Sequence, residues 1–231
     1  MERKVNASKD TVISGKEDSY QVVTAKKLNQ LFENKTTSRL KIEENCLFNE
    51  ALDNVFDIKV RGNVMCAESI LTFKISAEKD FCAMSHVCMN TLKVKVNAVF
   101  EDTVSVGAGI NVDGHCKDLQ GVINTSYIVI GKDFISEGDI LLEEIGQIIV
   151  YGDLYCEKSI NCVDIVVHGN VHCNGSINAG NMHVKGNVFC KGNVNLASAT
   201  FEKGFEIKGQ KNISHLKIMG NEKINLKKKV S

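Results

Sequence analysis

Proline is absent from all 231 residues of this chain. A closed stack of strands engages its backbone N–H groups in ladders to the turns above and below, and proline would delete a donor. A surplus of either charge is also missing, because 28 Lys and Arg balance 28 Asp and Glu. The chain thus lacks the positive excess that phosphate-backbone binding usually requires, which argues against a nucleic-acid partner. No stretch approaches the ~20 apolar residues of a membrane span, and the opening MERKVNASKDTVISGKEDSY has no signal-peptide core. These absences lead to the expectation of a cytoplasmic protein with no integral membrane segment. Nine cysteines are present but no C-x-x-C pair. Most stand among aliphatic residues at repeat positions, so they read as reduced, buried thiols.

What is present is a repeat. IIVYGDLYCEKSINCVD runs directly into IVVHGNVHCNGSINAGN and MHVKGNVFCKGNVNLAS, three blocks of 17 residues from Ile148. A unit this short cannot bury its own apolar face and must stack on copies of itself. Turns begin at Leu40, Ile58, Ile75, Leu92, Ile110, Ile128, Ile148, Ile165, Met182, Ala199 and Leu216, spaced by 17 or 18 with one insertion near Glu143 to Gln147. Within a turn the first, third, seventh and thirteenth residues are usually apolar, as in Ile148, Val150, Leu154 and Ile160. Alternation over short runs indicates strands with every second residue inward. The expectation is an all-β, single-stranded parallel β-solenoid of about 11 turns, with three short strands and three corners per turn.

The first corner has its own signature. Glycine stands fifth in the turn and Asn or Asp sixth, as in Gly62-Asn63, Gly152-Asp153, Gly169-Asn170 and Gly186-Asn187. Gly tolerates positive φ, while Asn and Asp bond their own backbone, so the chain bends here. Recurrence in almost every turn marks these as structural corner residues rather than a dedicated metal site, and stacking should align them in a ladder. Cys66, Cys156, Cys173 and Cys190 share the ninth position, an inward core row in which cysteine acts as a small hydrophobe. Cys46, Cys82, Cys88, Cys116 and Cys162 receive the same core-filling assignment. His168, His172 and His183 occupy the fourth, eighth and second positions and point to different parts of the turn. No nucleophile–base pair, phosphate loop, metal-ligand set or cofactor motif emerges, so the expectation is a protein without catalytic, metal or cofactor residues.

At the ends the repeat weakens. Residues 1–20 read as a flexible tail, and 21–39 as either a capping helix, with Ala25, Leu28, Leu31 and Phe32 at helical spacing, or a degenerate turn starting near Val22. The solenoid spans 40–226, and its core positions decay where Lys211, Glu222 and Lys228 replace apolar residues. Residues 227–231 form a basic tail, and charge on a terminal strand discourages edge-to-edge growth.

Gly152-Asp153-Leu154-Tyr155-Cys156, Gly169-Asn170-Val171-His172-Cys173 and Gly186-Asn187-Val188-Phe189-Cys190 resemble the repeats of bactofilins, the bacterial polymer-forming cytoskeletal proteins. The likeness is clearest over 148–198 and extends over 40–220. It implies a right-handed triangular β-helix that binds no nucleotide, joins end to end, and scaffolds proteins or the membrane. The expected partners are further copies or another protein, with room for peripheral membrane contact. One alternative is a binding module, phage, surface or host-directed, that holds a partner on a flat face. Another is a left-handed β-helix acyltransferase, favoured by the six-residue spacing of Ile148, Leu154 and Ile160 but opposed by turns that close at 17 rather than 18.

Overall fold

The computed structural model describes residues 5–7, 11–13, 20–24, 39–53 and 57–219. Every described element is a strand, and the strands form two sheets of 15 and 11 members, almost entirely parallel. The chain is a parallel β-solenoid. The first position runs in unbroken register from Leu40 through Ile58, Ile75, Leu92, Ile110, Ile128, Ile148, Ile165, Met182 and Ala199 to Leu216. The seventh and thirteenth positions align in the same way, as in Leu154↔Val171↔Val188 and Ile160↔Ile177↔Val194.

The core is a column of rows. Leu40, Ile58, Ile75, Leu92 and Ile148 are fully buried along one row, and Phe81, Phe100 and Phe134 thicken others. The fifteenth position also points inward, with Met89, Val106, Cys162 and Leu196 buried there. Cys82 and Cys88 differ from the expected core filling. They occupy outward positions, eight and fourteen, and are only half-buried.

One corner differs from the other two. In most described turns the thirteenth-position strand runs on into the first side of the next turn without a break, as in Val87–Val94 and Ile177–Val184, the exception being the break between Ile160–Asn161 and Asp164–Val167. Only two residues, such as Asn90 and Thr91, separate inward Met89 from inward Leu92, so the backbone bends while staying extended. Turn length varies only here. The first and seventh positions always lie six apart, as do the seventh and thirteenth, for example Leu92, Ala98 and Val104 or Ile148, Leu154 and Ile160. From the thirteenth position to the next turn's first, the step is five from Val87 to Leu92, six from Val104 to Ile110, and eight from Ile140 to Ile148. Ladder irregularities fall where neighbouring steps differ, at Met89/Thr91 and around Thr125. Bulges absorb the surplus residues.

At the N-terminal end Gln21–Val23 pairs in parallel with Cys46–Phe48, which sets Val22 beside the eighth-position Leu47. The helical spacing from Ala25 to Phe32 lies outside the described residues. Within the segment expected to be a flexible tail, Thr11–Ile13 continues the parallel ladder onto Leu40, and Val5–Ala7 pairs antiparallel with it. Residues 220–231, including Glu222, Lys228 and the basic tail, are likewise outside the described set.

Candidate assembly interface

Residues with chemical potential are absorbed first by the corners. At the first corner, each sixth-position side chain accepts the backbone N–H of its successor one turn on. Asn63 donates to Asn45 Oδ1 at 2.9 Å, Asp80 to Asn63 at 3.1 Å, Asn97 to Asp80 at 3.0 Å, and His115 to Asn97 at 2.9 Å. His115 then takes the asparagine's place, its Nδ1 accepting from the Asp133 amide at 3.4 Å. The row continues through Asp153, Asn170 and Asn187 to the Gly204 amide. Gly62, Gly152, Gly169 and Gly186 precede four of these residues because the turns approach closely there. A Cβ on Gly186 would land on the Gly169 carbonyl oxygen. A second ladder, which the sequence reading missed, stands at the twelfth position, where the Ser159, Ser176, Asn193 and Gln210 amides donate to Asp139, Ser159, Ser176 and Asn193.

The ninth-position row is more varied than a file of thiols. It runs Phe48, Cys66, Ala83, Phe100, Asp118, Ser136, Cys156, Cys173, Cys190, Ile207. The Cys156, Cys173 and Cys190 thiols point to carbonyls of the second corner, at 3.5 Å from Gly138, 3.2 Å from Lys158 and 3.3 Å from Gly175. Hydrogen bonding with the Cys156 and Cys190 thiols, together with burial, drives the Cys173 thiol far above its ordinary range. Burial raises Cys66 as well. Cys173 and Cys66 are therefore protonated, inert sulfurs, while the hydrogen bond with Cys173 lowers the Cys190 pKa. Asp118 and Ser136 are both 0% exposed, and the Ser136 hydroxyl donates to Asp118 Oδ2 at 2.8 Å. Asp118 Oδ1 has no partner of good geometry. Burial pushes this carboxyl above the usual carboxylate range, against the pull of Ser136 and the Gly121 and Gln120 amides. The three histidines of the C-terminal blocks stay apart. His183 meets Glu202 at 3.0 Å, His168 lies against Tyr151, and His172 stacks between Tyr155 and Phe189. Among the described residues, no three His, Cys, Asp or Glu groups converge as a cation site.

With the interior and corners accounted for, the two ends stand out. The strand Lys211–Ile218 has a ladder partner on one side only among the described residues, and so has Phe205–Ile207. Leu216 is 42% exposed, although the same row is 1% exposed at Ala199 and 2% at Met182. Ile213 and Phe205 are likewise only partly covered. No family model, curated protein or solved structure matches this chain. The opposite end is different, because the antiparallel strand Val5–Ala7 reverses chain direction at the edge of the larger sheet. In that sheet the parallel, in-register stack stops there, whereas the smaller sheet ends on the parallel strand Gln21–Val23. At the open end, Lys211 partly screens the apolar rung by reaching to 5.5 Å over the Phe205 ring. Among the described residues, no further strand pairs with the edge that holds Leu216 and Ile213.

Proposed function

We propose that this protein is a non-enzymatic structural scaffold whose copies join end to end through the Lys211–Ile218 rung, as its bactofilin-like repeats imply. The observation that carries this reading is Leu216, a core-row residue left 42% exposed at an edge with one ladder partner among the described residues. A parallel sheet buries both faces and both edges where it can, so an uncovered rung of this kind invites a further strand. The non-enzymatic part rests on the use of Asp133, Asp153 and the buried thiols in ladders and core rows. Because the hairpin reverses direction at the other end, paired rods joined at their C-terminal rungs are favoured over long filaments.

Negative-stain microscopy with mass measurement in solution tests this. Rods of doubled length, at twice the 25.4 kDa chain mass, are expected. A monomer at every concentration would overturn the proposal. It would favour a second reading, a binding module that uses the second side, where Ile135, Tyr155, His172 and Phe189 form one outward row.

A further inference from the structure

The first side carries a groove that the scaffold reading does not use. Lys59, Ser76 and Lys93 stack in register at the second position, about 4.8 Å per rung. Ser76 is short while the residues one rung away on each side carry long cationic stems, so a dip opens between the two lysines. Lys74 stands on one flank of this dip and Lys95 on the other, and Ala77 and Val94 lie beneath, giving an open groove of about 390 Å³. The only carboxylates lining it are Glu78 and Asp113. Lys59 holds Glu78 at 2.9 Å and Lys95 approaches it at 4.0 Å. The hydrogen bond from Lys59, with the charges of Lys59, Lys95 and Arg61, lowers the Glu78 pKa. Lys74 and Lys93 have no acidic partner among the described residues. Four lysines against two carboxylates leave a local surplus of two positive charges in a chain whose formal charge is zero.

We infer that this groove binds a multiply charged phosphate group, carried either by a free polyphosphate or by a phosphorylated lipid headgroup. A single carboxylate would satisfy one lysine, whereas a run of phosphoryl oxygens reaches several ammonium groups at once and accepts from the Ser76 hydroxyl. Lysine suits this task because its flexible stem lets a point charge follow the ligand. The groove is open to solvent, so binding weakens as salt rises. The site lies several turns from the open C-terminal rung, and the inference does not depend on end-to-end assembly.

The test is calorimetric titration of the full chain with inorganic tripolyphosphate at low and high salt, with the fold of each variant checked by circular dichroism. Sedimentation with phosphatidylcholine vesicles, with and without a bisphosphorylated inositol lipid, runs in parallel. One saturable site is expected, weakened about fivefold by Lys74→Gln and about fivefold by Lys93→Gln, and unaffected by Lys191→Gln on a distant corner. Saturable binding of tripolyphosphate assigns the site to a free anion, and binding only of the phosphorylated vesicles assigns it to a headgroup. The inference is overturned by failure to bind either probe. An equal loss in the Lys191→Gln variant also overturns it, since that would reflect net charge and not a site.

Discussion

Two residues show how strictly position governs chemistry in this stack. Gly186 lies where a Cβ would meet the Gly169 carbonyl oxygen and the Asn170 side chain, and neither can retreat without opening the first-corner ladder. Gly186→Ala should cost about 1–3 kcal/mol, read as a lower urea midpoint with an unchanged slope. Asp118 is the opposite case, a polar residue in a core row. Its carboxyl is raised in the folded chain by burial, so the folded state holds the proton more tightly than the unfolded one. The stability linked to that proton is complete below the unfolded value of about 3.9 and is lost as pH rises through the folded value. Asp118→Asn removes that loss. The variant's Tm should exceed that of the native chain near neutral pH, and the gap should close as pH falls toward about 4. A gap independent of pH would mean that the carboxylate is not its source.

At the level of the turn, two sides are rigid and one corner is adjustable. Deleting residues 143–145 would bring the step from Ile140 to Ile148 down to the five residues used from Val87 to Leu92. The melting temperature should then move by only a few degrees. Deleting Lys158 alone shortens an invariant step, turns Ile160 outward and should abolish cooperative unfolding in a thermal melt. This division explains what could be read from the sequence. Every turn start from Leu40 to Leu216 lies in register because a buried row tolerates little but apolar side chains. The continuous strand through the third corner was not legible, since two outward residues look the same whether the chain breaks or merely bends. Asp118 and Ser136 hid because a polar residue at an inward position looks like a lapse of the repeat until its hydrogen bond is seen. The Thr11–Ile13 strand was masked by the polar sequence around it. The groove at Ser76 was invisible because it arises from comparing outward residues across three rungs, where the period dictates nothing. The open rung was partly legible, through Lys211 at a core position.

For the whole molecule, the proposed assembly should hinge on the last described rung and not on net charge. Leu216→Lys places a cation in the one exposed member of the first-position row, and it should convert paired rods to monomers with little loss of stability. Mass photometry checks the first part and a thermal melt the second. If the pairs persist, the contact lies elsewhere. The invariant sides have a further bearing on the molecule's length. Because Met182–Ser198 begins and ends in the same register as the block before it, an added copy would bring its own corner asparagine, its own core cysteine and a matching face above and below. Reach can therefore be set in increments of about 4.8 Å by gene duplication alone, with no residue elsewhere in the rod needing to change.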